Sequence, residues 1–118
     1  MFEPTKLLTL MANKLEWHKE MTHRIGHNIA NSETPGFKRV DLKSFNDILK
    51  SNASLFKKNQ SSLTPIMPIN NRHQIQTRDE VKRDVESMIM AENSVNHQAN
   101  LQLYKKYLGL MKTVVAKT

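Results

Sequence analysis

LQLYKKYLGLMKTVV, residues 101–115, would be apolar on two opposite sides if it were helical. Leu101, Tyr104, Leu108, Met111 and Val115 recur at spacings of three and four, and so do Leu103, Tyr107, Leu110 and Val114. At about 100° per residue, Leu101 and Leu103 stand some 200° apart, which puts the two rows on nearly opposite faces. One neighbouring helix cannot cover both rows, and a row left in water invites association. The segment therefore predicts a helix end buried twice, once against its own chain and once against other copies or partners.

Working back towards the N-terminus, the row through Leu103 continues as Val81, Val85, Met88, Val95 and Ala99, broken only by Glu92. Thr77-Arg78-Asp79-Glu80 has the form of a capping box, with the Thr77 hydroxyl and Glu80 carboxylate each serving the other's backbone N–H. Asp79, Glu80, Asp84 and Glu86 near this start, and Lys105, Lys106, Lys112 and Lys117 towards the far end, suit the helix dipole. The expected helix runs from about Asp79 to Ala116. An earlier helix is expected from about Thr5 to Asn31, on the stripe Leu8, Met11, Leu15, His18, Thr22, Ile25 and Ile29, with Lys6, Asn13, Glu16 and Glu20 on its exposed side.

The second helix would be roughly 55 Å long at about 1.5 Å per residue, whereas a compact domain of this size has a radius of gyration of about 13 to 14 Å. The fold expected is mainly α: two long N- and C-terminal helices pairing as an elongated coiled coil, with an irregular or partly extended middle. The chain divides into an N-terminal helix (1–32), a turn and signature segment (33–50), an irregular middle (51–76) and a C-terminal helix (77–118). The middle, SNASLFKKNQSSLTPIMPINNRHQ, is rich in Ser, Asn and Gln and lacks a sustained period. Within it Leu63–Ile69 suits a short extended piece, because Pro65 and Pro68 disfavour helix.

Composition narrows the function classes. At 118 residues and 38% apolar content the chain is about one domain, and the absence of cysteine excludes disulfides and thiolate metal sites. No apolar run approaches the roughly 20 residues of a membrane span, and the N-terminus lacks the pattern of a cleaved signal peptide. The net charge of +7 allows contact with anions, yet the 18 Lys and Arg are spread along the chain. A small basic helical module for nucleic acid is the rival reading; it would need those cations aligned on one face, and the doubly apolar end argues against it. His23 and His27 have the i, i+4 spacing of a metal pair, but the segment HRIGH lacks the glutamate of a metalloprotease. With no acid/base pair, phosphate loop or nucleophile motif, no catalysis and no cofactor are expected.

A motif lies where the first helix should end. Thr34-Pro35-Gly36-Phe37 suits a type II turn, with Pro35 setting φ and Gly36 supplying positive φ. Pro35 also disfavours helix at Glu33, and the amides of Asn28 and Asn31 can serve free carbonyls at the helix end. Together Asn28-Ile29-Ala30-Asn31 and Thr34-Pro35-Gly36-Phe37-Lys38 resemble the NIANxxTPGFK signature of bacterial flagellar rod and hook proteins. MIMAENSVNHQANLQLYKKYLGLMKTVV, residues 88–115, is similar to the closing helix of the proximal rod proteins, the FlgB family, and favours that family over the second rival, another flagellar axial protein such as the neighbouring proximal rod subunit. The resemblance covers about 1–50 and 77–116. One departure is Lys82, where the family tends to carry an acidic residue.

The resemblance implies a structural subunit of the flagellar basal-body rod, in which the terminal helices pair and pack beside copies of the chain and neighbouring rod proteins. It implies a periplasmic position reached through the flagellar type III export apparatus without a cleaved signal. The implied partners are the export gate, the membrane ring and the adaptor joining rod to ring, with no nucleic acid and no membrane span of its own. Phe45-Asn46-Asp47-Ile48-Leu49 resembles the FxxxΦ pattern by which such substrates dock on the export gate, although Phe45 and Leu49 are also a simple i, i+4 apolar pair. The residues expected to carry subunit packing are Leu101, Leu103, Tyr104, Tyr107, Leu108, Leu110, Met111, Val114 and Val115. A carboxylate at 108 or 111 is expected to block assembly while sparing export.

Overall fold

The computed structural model describes residues 4–51 and 73–116. The chain is mainly helical and elongated: α1 (Pro4–Ala30), β1 (Lys38–Leu42), α2 (Phe45–Ser51), β2 (Gln74–Glu80) and α3 (Arg83–Ala116). Its extents are 61 × 29 × 16 Å and its radius of gyration is 17.3 Å, well above the roughly 13 to 14 Å of a compact domain of this length. The extended candidate Leu63–Ile69 lies outside the described residues.

Helices α1 and α3 pack against each other. Asn28 meets Glu86, while His18 meets Asn93, His97 and Asn100, so the pairing is antiparallel. At equal rise this register brings the start of α1 opposite about residue 110 of α3. On α1, His18 and Ile25 are buried and Leu8, Met11, Leu15 and Ile29 half-buried, so these members of the predicted stripe face inward, whereas Thr22 is exposed.

Asn13 is a correction. Expected on the exposed side, it is fully buried. The short helix α2 lays Phe45 and Ile48 against Leu10 and Trp17, which flank Asn13 at i−3 and i+4 on one face of α1. The Trp17 indole N–H donates to the Lys43 carbonyl at 2.8 Å and pins the approach to α2. Ser44 starts α2, accepting the Asp47 N–H on its hydroxyl at 3.2 Å, as an N-cap does.

The predicted capping box is a second correction. Residues 74–80 are strand, and α3 starts at Arg83 rather than Asp79. β1 and β2 pair antiparallel, Leu42 opposite Gln74 and Val40 opposite Gln76, with an irregularity before Lys38 meets Glu80. The Thr77 hydroxyl donates to the Arg39 carbonyl across this hairpin, at 2.8 Å. A cap contributes only about 1 kcal/mol, and the ladder with β1 satisfies several backbone groups at once. Val40 and Leu42, alternate residues of β1, turn to the same buried face.

Candidate functional site

The motif at residues 28–38 joins three elements, and Asn28 is its centre. Its fully buried amide pairs with one strand residue in both directions: Oδ1 accepts the Val40 N–H at 2.9 Å and Nδ2 donates to the Val40 carbonyl at 2.8 Å. Val40 sits opposite Gln76 in the ladder but turns its backbone groups away from β2, so Asn28 serves as a strand substitute on the open edge of β1. The same Nδ2 lies 3.4 Å from the Glu86 carboxylate in the first turn of α3.

Glu86 is 1% exposed. Arg39 Nε donates to it at 2.7 Å and Arg39 Nη1 reaches Asp41 at 3.3 Å. The hydrogen bond to Glu86 raises the guanidinium's pKa against the opposing effect of burial. A buried carboxylate is costly unless paired and hydrogen-bonded, and Arg39 and Asn28 supply both. Sequence reading missed Glu86 and Arg39 because their pairing depends on the hairpin that carries Arg39 across the start of α3.

The remaining motif residues build the exit from α1. The Asn31 amide donates to the His27 carbonyl at 2.9 Å, beside the Asn31 backbone N–H that reaches the same oxygen at 3.1 Å, so one residue closes the helix end twice. Asn31 also accepts from the Thr34 hydroxyl at 3.3 Å. The Phe37 N–H bonds the Thr34 carbonyl at 3.2 Å and Gly36 has φ +75°, which makes Thr34-Pro35-Gly36-Phe37 a type II turn. Phe37 is half-buried with its ring 5.5 Å from His27, edge to face. Ile29 is half-buried and Ala30 exposed; Lys38 opens β1 and pairs loosely with Glu80 at 3.8 Å.

The seam between α1 and α3 is polar at its middle. Asn93 Nδ2 donates to the His18 carbonyl and to the Thr22 hydroxyl, which orients the amide so that Oδ1 accepts from His18 Nδ1 at 2.8 Å. His18 Nε2 then accepts from Asn100 Nδ2 at 2.9 Å. This arrangement suits the neutral imidazole, and burial lowers the His18 pKa despite the opposing hydrogen bond to Asn93. Glu86, Asn93 and Asn100 recur every seven residues. The row through Leu101, followed backwards through these polar positions, is the signal that could have found the inner face.

Of the two apolar rows of α3, the inner one is Leu101, Tyr104, Leu108 and Met111, all half-buried. The longer row is the outer face: Val85, Met88, Val95, Leu103, Leu110 and Val114 are 44–73% exposed. Tyr107 is half-buried, and Val115 is exposed. The expectation for a carboxylate at 108 or 111 changes accordingly: it would strike the pairing of the two helices before it struck any contact between subunits.

Phe45 and Leu49 lie one turn apart on α2, but Phe45 is buried against α1 under Lys14 Nζ, 4.9 Å from the ring centre, and Leu49 packs beside it. In the folded chain this pair is core. His23 and His27 are exposed and line an open groove with residues of α3. Among the described residues no cluster of His, Asp or Glu is placed to hold a metal ion, and no helix is long and apolar enough to cross a membrane. No known protein-family model matches this chain, and no curated protein matches it in sequence.

Proposed function

We propose that this chain is a structural subunit of the bacterial flagellar rod, of the proximal FlgB-like kind, with no catalytic role of its own. The observation that carries the reading is the outer face of α3, an apolar row about 45 Å long from Val85 to Val114, broken by Glu92, in which Val85, Met88, Val95, Leu103, Leu110 and Val114 stand exposed in the described chain. An isolated domain gains nothing from such a row, whereas a subunit packed side by side with copies and neighbouring rod proteins buries it. The resemblance of residues 28–38 to the rod and hook signature names the assembly, and the bonding of Asn28 gives that motif a structural purpose. In this reading the motif sets the angle at which the hairpin leaves the helical pair, and the outer face supplies the lateral contacts.

The same proposal extends to a periplasmic location, export through the flagellar type III apparatus, and contact with the membrane ring and its adaptor at the base of the rod. Export of an unfolded chain would free Phe45 and Leu49 from the α1 face and make them available to the export gate. The deciding experiment deletes the gene in the source bacterium and examines isolated basal bodies by electron microscopy, with complementation. Rings without rod, hook and filament support the proposal. Complete flagella in a strain with no second copy of the gene overturn it.

A further inference from the structure

The outer row of α3 reads the same in both directions. Met88, Glu92, Val95, Ala99, Leu103, Lys106 and Leu110 follow one another at spacings of 4, 3, 4, 4, 3 and 4, a pattern symmetric about Ala99. At about 100° per residue these positions lie within about 80° of one another, with Ala99 at the middle of the stripe. All of them are exposed, while α1 holds the opposite side of the helix through Asn93 and Asn100. The chemistry is mirrored as well: Met88 answers Leu110, Val95 answers Leu103, and the two charges of the row, Glu92 and Lys106, stand seven residues either side of Ala99. Val85 and Val114 carry the mirror on to within one residue at its ends.

The side chains of Glu92 and Lys106 make no ion pair or hydrogen bond with another described residue. They are roughly 21 Å apart along one helix and cannot reach each other. Covering the row with a purely apolar partner would bury both charges unpaired, at high cost. A fitting partner therefore carries a cation opposite Glu92 and an anion opposite Lys106, with apolar side chains between and beyond them. The same row turned end for end has that order of groups.

We infer that the outer face of α3 is the interface of an antiparallel homodimer, in which two copies of the chain meet about a two-fold axis at Ala99. In this arrangement Met88 faces Leu110 of the second copy, Val95 faces its Leu103 and Glu92 faces its Lys106, each contact occurring twice, as an isologous interface requires. The small side chain of Ala99 at the axis lets the two helices approach closely. A parallel pair in register would set Glu92 against Glu92 and Lys106 against Lys106, so the charges select the antiparallel arrangement. The dimer covers the face that lateral contacts with rod neighbours would use, and a chain paired this way is withheld from such packing. Its existence follows from the mirrored row and is independent of the rod reading.

The test is sedimentation equilibrium of the full chain from about 10 to about 500 µM, with far-UV circular dichroism of every variant to separate lost pairing from lost helix. Expected is a monomer–dimer equilibrium without larger species. Glu92→Lys and Lys106→Glu should each weaken dimerisation about 10-fold or more, because each turns two attractions into two repulsions. The double exchange should restore it to within about 3-fold of the original chain, and an equimolar mixture of the two single variants should form a mixed dimer just as readily. The chain has no cysteine, so Ala99→Cys places a single thiol at the axis. With helix axes about 8 to 10 Å apart and Cα atoms about 2.3 Å from each axis, the facing Cα atoms come to roughly 3.5 to 5.5 Å, where a disulfide can form. Oxidation should cross-link Ala99→Cys but not Leu103→Cys, whose two copies stand roughly 12 Å apart along the pair. A monomer over the whole range, which would leave the row to a different protein, overturns the inference. So does the absence of rescue in both the double exchange and the mixture, or equal cross-linking of Ala99→Cys and Leu103→Cys, the mark of a parallel pair.

Discussion

Replacing Asn28 tests whether the motif at the end of α1 is a structural joint. In Asn28→Ala, the N–H and carbonyl of Val40 lose their partners in a position where Val40 is only 7% exposed. Leaving a buried backbone group unsatisfied costs about 1 to 3 kcal/mol. The two groups together put the loss at about 2 to 6 kcal/mol, with the higher figure applying if water cannot enter beside Glu86. Against the roughly 5 to 15 kcal/mol of a small domain this is a large fraction. Asn28→Asp refines the test. It keeps an acceptor for the Val40 N–H but turns an oxygen towards the Val40 carbonyl and towards Glu86, now 3.4 Å from the amide nitrogen. Two facing carboxylates raise the pKa of the introduced group in the folded state, so the folded state holds the extra proton. The deficit of Asn28→Asp should therefore shrink as pH falls towards the range of that raised pKa and grow as pH rises through it. Urea denaturation followed by circular dichroism at neutral and mildly acidic pH reads both effects, with Glu86→Gln added to the second variant to remove the repulsion. If Asn28→Ala unfolds within about 0.5 kcal/mol of the wild type, the size of an ordinary surface substitution, the joint as described is wrong.

The two rows of α3 should separate by mutation. Leu103→Asp and Leu110→Asp should leave monomer stability within about 0.5 kcal/mol but abolish rod assembly in complemented cells, whereas Leu108→Asp should cost about 2 kcal/mol or more by placing a charge against α1; equal stability of all three would reverse the assignment of faces. Lowered by burial from its ordinary value of 6.5, the His18 pKa makes the unfolded chain bind the proton first. Its contribution to stability should be complete above that value and decline as pH drops below it towards the folded pKa, and His18→Gln should flatten that part of a stability-against-pH curve. Phe45→Ala should destabilise the folded chain by about 3 kcal/mol, because Phe45 and Ile48 form the buried contact of α2 with α1. An export assay on this variant therefore needs a thermal melt beside it, and a melt matching the wild type would show that α2 is not anchored through this ring.

The buried apolar set among the described residues is small: Ile25, Val40, Leu42, Phe45 and Ile48. Polar groups occupy the rest of the interior, each demanding a partner at a particular place. Such an interior confers register more than stability. His18 between Asn93 and Asn100, and Glu86 between Asn28 and Arg39, are satisfied together only when α1 and α3 stand at one offset. In the proposed function, lateral packing of the outer face would supply stability that the single chain lacks.

Local chemistry made the long helices, the elongated shape and the exit from α1 legible. Periodicity is a property of neighbouring residues, and a Pro-Gly pair forms its turn wherever the chain allows it, as the Thr34–Phe37 bond and the positive φ of Gly36 show. The double row at 101–115 likewise marked α3 as a helix with more apolar surface than one partner can cover. Which row turned inward was not readable. Hydrophobic pattern favoured the longer row, but the inner face continues through Glu86, Asn93 and Asn100, whose burial depends on partners 58 to 82 residues away in sequence. The strand at 74–80 was hidden for the same reason, since Thr77 and Glu80 have the local form of a helix cap and only pairing with β1 makes the extended state the better one. Short-range preferences of about 1 kcal/mol were set by the sequence alone; the tertiary structure overruled them wherever a distant segment satisfied several buried backbone and side-chain groups together.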